Sequence, residues 1–90
     1  MSKPSVIAPV VNLNGTSVNE LLEQIQTAAF AVQTAYQALQ LAAPHGRDYQ
    51  TAPAGTYGNA REQYSVWMGQ LNDIHNGLHE IGCQIWDQKR

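Results

Sequence analysis

The chain has 90 residues, which is the size of one small domain. Its 43% hydrophobic content is too high for a disordered segment, and its 13% charged content is low for a solvated surface. The net charge is -2, and the five Lys and Arg residues are spread along the chain, which argues against binding to duplex nucleic acid. No apolar run is long enough to span a membrane, no signal peptide is expected, and the single cysteine fits a reducing compartment. We therefore expect a cytoplasmic protein with a single domain covering residues 1–90.

Residues 1–16 are predicted to form an extended arm. Pro4 and Pro9 oppose a helix, and Asn14 followed by Gly15 favours a turn at the end of the arm. The apolar side chains of the arm need cover from water. The arm therefore either lies along the helices of its own chain or crosses to a neighbouring subunit.

A first helix is predicted over residues 17–43, with Ser17 as its N-cap and Glu20 at the capping-box position. From residue 24 to residue 43 the sequence contains no charged residue, so this helix is expected to be covered on more than one side. Its apolar positions alternate in steps of four and three, which is heptad spacing. They are Val18, Leu22, Ile25, Ala29, Val32, Tyr36, Leu39 and Ala43.

A loop is predicted over residues 44–59 and a second helix over residues 60–87, with Asn59 as its N-cap. This helix repeats the heptad spacing at Ala60, Tyr64, Trp67, Leu71, Ile74, Leu78, Ile81 and Ile85. Two apolar stripes of equal length predict an all-α fold, an antiparallel two-helix hairpin with an extended N-terminal arm. Because the core of such a short chain is thin, we expect the hairpin to assemble into a homo-oligomeric helical bundle.

A second stripe on helix two lies one position beyond the first and is rich in residues that bind ligands. Its members are Met68, Asn72, His75, His79, Gly82 and Trp86. Three interpretations are open, namely packing between subunits, a small-ligand site within a subunit interface, and a metal site made by His75, His79 and Cys83. On one straight helix, His75 and Cys83 are eight residues apart, which corresponds to about 12 Å. This distance is too long for both to bind one tetrahedral ion, so we expect no metal and no cofactor.

The loop between the helices is long for a helical hairpin, and loops of this length often have a function. It contains Arg47 and Tyr49, which are candidate contacts for phosphate and for an aromatic base. An ion pair between Arg47 and Asp48 is the alternative role for the arginine. No phosphate-binding loop, dinucleotide fingerprint or nucleophile with a base at a family spacing is present, so we expect no enzymatic activity.

Two segments support a resemblance to known proteins. They are residues 12–17, with the sequence NLNGTS, and residues 43–49, with the sequence APHGRDY, on either side of an alanine-rich amphipathic helix. With these segments the chain resembles small accessory proteins of tailed bacteriophages, most of which have no assigned function. In architecture alone it is also similar to phage sponge proteins, which are short, helical, oligomeric and sequester nucleotide signals of host immunity. The resemblance implies a location in the cytoplasm of a bacterial host cell.

Two functions remain open at this point. The first is an oligomeric binding protein that sequesters a small nucleotide-derived immune signal at subunit interfaces, as an anti-defence protein. Its candidate contacts are Arg47, Tyr49, Met68, His75, His79 and Trp86. The alternative is a structural or protein-interaction module, with a phage or host partner and no small ligand.

Overall fold

The structure is a computed structural model that describes residues 6–89, and for Lys89 it describes only the backbone. The part of the predicted arm formed by residues 1–5 lies outside the described residues. Two α-helices, α1 (Val18–Leu41) and α2 (Thr56–Lys89), are joined by a loop that contains a short 3₁₀ helix, Gly46–Tyr49. Residues 6–89 include no strand, which agrees with the all-α prediction.

The two helices pack against each other as an antiparallel hairpin. At the loop end, Gly46 lies against the ring of Tyr57, with 3.5 Å between a Cβ built on the glycine and the nearest ring carbon. At the opposite end, which we call the free end, a Cβ built on Gly82 would lie 3.6 Å from Cγ2 of Ile25. All eight positions of the predicted stripe are half-buried, seven of them within α1 and Ala43 just beyond its end, so the heptad spacing identified the inner face of α1 correctly.

Ser17 caps α1 as predicted, since its Oγ accepts a hydrogen bond of 3.2 Å from the backbone N–H of Glu20. The helix ends at Leu41, two residues before the predicted end, and Pro44 follows where its missing N–H could not continue the helix.

The predicted start of the second helix was wrong. The helix begins at Thr56 instead of residue 60, and Asn59 is inside it, where its N–H donates to the carbonyl of Gly55 at 3.0 Å. The reason is a turn in which the N–H of Thr56 donates to Pro53, while Gly55 adopts a φ of 90°, a conformation that favours glycine. This turn sets the direction of the chain four residues before the sequence pattern of an N-cap appears.

The predicted inner face of α2 was correct at six positions and wrong at two. Trp67 and Ile74 remain 47% and 51% exposed, whereas Met68 and His75, each one position further along the chain, are half-buried. An α-helix has 3.6 residues per turn, so a strict repeat of 3.5 drifts around a straight helix by about 20° per heptad. The inner face of α2 therefore includes residues of both stripes, and Trp67 and Ile74 lie at its edge, on one side of the seam.

Residues 6–11 of the N-terminal arm lie along α2 of their own chain, on the side of the seam that carries Trp67 and Ile74. Val6 contacts Gly77, with 3.7 Å between its Cγ1 and a Cβ built on the glycine. Further along the arm, the Gln88 side chain accepts from the N–H of Val11 at 2.8 Å and donates to the carbonyl of Pro9 at 2.9 Å. Between these contacts lies Ile85, the one residue described as fully buried.

The arm contact predicts the effect of removing the Gln88 side chain. In Gln88→Ala both hydrogen bonds to the arm are lost, and because Gln88 is exposed we expect the free energy of unfolding to fall by about 1 kcal/mol. Urea denaturation measures this change. Gln37→Ala, at an exposed position of α1, is the matched control and should have little effect. Equal stability of the two variants would contradict the described position of the arm.

Candidate functional site

An open groove runs along one side of the seam, on the side opposite Trp67 and Ile74. Its largest depression lies near the free end and has a volume of about 430 Å³, which is in the size range of small-ligand sites. A second depression of about 200 Å³ continues from it toward the loop, and His75 lines both. A third lies at the loop end, where Arg61 and Met68 approach Ala43 and Pro44.

The whole second stripe of α2 lines this side of the hairpin. Met68 is in the depression at the loop end and Asn72 is in the middle one. His79, Gly82 and Trp86 are in the largest depression, together with Leu22, Ile25, Gln26 and Ala29 of α1. The sequence pattern therefore predicted a common surface correctly. Whether this surface binds a ligand remains a prediction.

The largest depression has an apolar floor and polar edges. Ile25, Ala29 and Leu78 contribute apolar surface, while His79, Cys83 and Asp87 contribute polar groups. Trp86 is 48% exposed, so part of its ring is accessible for stacking. Such a site fits a molecule with one flat apolar face and several hydrogen-bonding groups.

Two of the lining residues were missed as candidates from the sequence. Asp87 lines the same depression as Trp86, and Arg61 lines the one that contains Met68. Asp87 could have been found by continuing the spacing of four residues from His75 through His79 and Cys83. Arg61 belongs to the first turns of α2, where the sequence suggested only a helix start.

His79 and Cys83 form a close pair on α2, with 3.7 Å between Nε2 of the imidazole and Sγ of the thiol. Both side chains are exposed. Within the described part of the chain, no group of three His, Cys, Asp or Glu residues is placed to hold a metal ion. One chain therefore does not bring together the three protein ligands of the metal interpretation.

The loop candidates lie far from the largest depression. Tyr49 packs its ring against Tyr57, with 5.6 Å between ring centroids, and the Arg61 guanidinium lies 5.7 Å from the centre of the Tyr57 ring. Tyr57 and Trp86 are 29 positions apart on α2, which corresponds to about 44 Å. Arg47 is exposed and makes no ion pair with Asp48, both of which are described. His75, the nearer histidine of the site, is 18 positions from Tyr57, which corresponds to about 27 Å. Within one chain, the loop and the histidines are thus too far apart to contact the same small molecule.

The candidate residues on α2 are also spread along the helix. His75 and Trp86 are about 16 Å apart along the axis, which a dinucleotide-sized ligand can span, and Met68 lies about 10 Å further toward the loop. The compact part of the predicted site is therefore the group formed by His75, His79 and Trp86.

Comparisons with protein-family models, with curated proteins and with solved structures find no match to this chain. Among the described residues, neither helix has the combination of length and apolar content that crossing a membrane requires. What the chain does must therefore be argued from its groove and its exposed surfaces.

The glycines of α2 allow a matched test of the site geometry. A Cβ at Gly82 would meet Ile25 at an ordinary contact distance of 3.6 Å, and a Cβ at Gly69 would meet nothing within 4 Å. Both Gly82→Ala and Gly69→Ala should therefore raise the free energy of unfolding by about 0.5–1 kcal/mol, because alanine is the better helix former. Urea denaturation measures both. If Gly82→Ala lowered stability while Gly69→Ala raised it, the helices would be closer together than described.

Proposed function

We propose that this chain is a non-enzymatic, oligomeric binding protein that sequesters a small nucleotide-derived ligand in the groove beside the seam. The observation that supports this proposal most directly is the position of the second stripe of α2, whose six members all line one side of the hairpin. Together with the resemblance to phage accessory proteins, it favours an anti-defence role in which the ligand is a signal of host immunity.

The chemistry of the largest depression suggests how a nucleotide would bind. A base would stack on the accessible part of the Trp86 ring, an interaction worth about 1–3 kcal/mol in single-stranded nucleic acid complexes. Asp87 lies at the same end and would accept hydrogen bonds from amino or ring N–H groups of the base. His75 and His79 would then contact the sugar and phosphate groups further along the groove.

The charges along the groove give the ligand a direction. The carboxylate of Asp87 lines the depression at the free end, and the guanidinium of Arg61 lines the depression at the loop end. A phosphate group would therefore lie on the loop side of Trp86. Arg47, the residue predicted from the sequence to contact phosphate, lies in the loop, far from the histidines of its own chain. It would therefore reach such a phosphate only from a neighbouring subunit. The distance between the loop and the histidines within one chain is the reason to place the ligand between subunits.

Sequestration without a chemical step is the activity that fits this surface. The closest pair of reactive side chains, His79 and Cys83, lies in the interior of α2. There the backbone N–H groups are used in helical hydrogen bonds and cannot serve as an oxyanion hole. The proposed role therefore depends on affinity and on the number of sites and requires no turnover.

A structural or protein-interaction module is the second candidate, and a specific observation favours it. Large apolar side chains remain exposed on surfaces outside the groove, including Phe30 at 72% and Leu41 at 89%. Such residues are suited to packing on further copies of the chain or on a virion or host protein. In this case the histidines would support packing and would bind no small molecule.

Calorimetry with cyclic dinucleotides and ADP-ribose derivatives separates the two candidates. If the proposal is right, one compound class binds, Trp86→Ala weakens that binding by about fivefold to more than a hundredfold, and His75→Ala weakens it as well. Gly82→Ala, which narrows the floor of the groove, should also weaken it, while Gly69→Ala should bind like the wild type.

The opposite results are equally clear. If folded wild-type protein binds no member of the panel, the proposed ligand class is wrong. If His75→Ala and His79→Ala change the stability of an oligomer while no compound binds, the interaction module is favoured, and capture of a single virion or host protein would support it further.

A further inference from the structure

The side of the hairpin opposite the groove carries an apolar face that the N-terminal arm covers only in part. Along α2, the positions 67, 70, 74, 77, 81, 84 and 88 form one stripe with steps of three and four. The arm contacts this stripe at Gly77 and Gln88. The described residues of the arm therefore cover the stripe from Gly77 to Gln88. Ile74 and Trp67, on the next two turns toward the loop, remain about half exposed.

The first helix continues this face across the seam. The α1 residues that line the groove include Gln26, Ala29, Gln33 and Tyr36. By helical spacing, Ala35 and Leu39, which are one turn apart, lie on the other side of the seam. We call the surface formed by Trp67, Gln70 and Ile74 of α2 with Ala35 and Leu39 of α1 the arm-side face. None of its five residues is charged.

We propose that the arm-side face is a self-association surface on which a second copy of this chain docks, related by a two-fold axis that passes close to Gln70. Antiparallel packing of the two α2 helices about this axis would place each Trp67 against Ile74 of the partner subunit, because Trp67 and Ile74 lie three and four residues on either side of Gln70. The contact is thus self-complementary, as two-fold symmetry requires.

The chain as a whole exposes enough surface for a second copy to bury a standard interface. The accessible surface is 7048 Å². A folded monomer of 9.9 kDa is expected to expose about 5,200 Å², so the excess is larger than the roughly 800 Å² that each partner buries in a standard interface. Among the described side chains only Ile85 is fully buried, which shows the same shortage of core.

The character of the face also fits a copy of itself better than a charged partner. Aromatic residues are enriched and charged residues depleted in the centres of interfaces, and Trp67 with Ile74 follows this rule. An uncharged face can meet its own copy without repulsion between like charges. This inference does not depend on the groove, which lies on the opposite side and stays accessible in such a dimer.

The first test introduces a charge at the proposed axis. Gln70→Lys should weaken self-association by at least about tenfold, since two-fold symmetry brings two like charges together. Asn76→Lys, at an exposed position of α2 outside the face, is the matched control and should associate like the wild type. Sedimentation equilibrium measures the dissociation constants, and circular dichroism verifies that both variants are folded. Equal dissociation constants for Gln70→Lys and the wild type would overturn the proposal.

The second test uses the two tryptophans, which have nearly equal exposure, 47% and 48%, on opposite sides of the hairpin. In Trp86→Phe only Trp67 emits, and its emission should shift to shorter wavelength as the protein concentration rises through the range of association. Trp67→Phe keeps an aromatic ring at the contact, and sedimentation equilibrium gives the concentration range in which this variant associates. Across that range, without ligand, the emission of its remaining Trp86 should show no such shift. Constant Trp67 emission through that range would overturn the proposal. So would emission that is already shifted in a monomer, which would mean that other residues of the same chain cover the face.

Discussion

The fold depends on the packing of three segments around Ile85 at the free end of the hairpin. Two helices alone share a single seam, and a side chain in that seam is still open to water on both sides. The arm closes one of these sides, and the Gln88 side chain holds it through two backbone groups. Where all three segments meet, Ile85 is fully buried, and toward the loop the described inner residues are only half-buried.

This unequal cover gives the hairpin two different sides. On one side the arm covers the stripe from Gly77 onward and leaves Trp67 and Ile74 exposed. On the other side no segment of the described chain fills the space beside the seam, and a groove lined by His75, His79 and Trp86 results. The two sides use different residues, so self-association on the arm-side face leaves the groove open to a ligand and to the loop of a further subunit.

The sequence predicted the parts of the fold that local rules determine. Ser17 has the residue type and spacing of an N-cap, and the predicted apolar stripe of the first helix is half-buried at every position, so both predictions are confirmed. On α2 two neighbouring stripes compete, and periodicity cannot show that the inner face includes residues of both. Asn59 has the residue type of an N-cap, yet the turn from Pro53 to Thr56, with Gly55 inside it, starts the helix earlier, and no cap pattern in the sequence indicates this start.

The candidate site shows the same limit. Residues on one helix face were grouped correctly, because helical spacing alone places Met68, His75, His79 and Trp86 on one side. The grouping of Arg47 and Tyr49 with them ignored the length of α2, which keeps the loop about 44 Å from Trp86. Only a neighbouring subunit can bring these parts together, so the proposed ligand site and the proposed assembly both rest on the claim that a single hairpin is incomplete.

The most direct test of that claim is the midpoint of thermal unfolding as a function of protein concentration. When folding is coupled to association, mass action raises this midpoint with concentration. For the wild-type chain we predict a rise of several degrees between about 1 and 100 µM, because the oligomer supplies burial that the hairpin lacks. A midpoint that stays constant over this range would show that the hairpin is stable as a monomer and would contradict the claim.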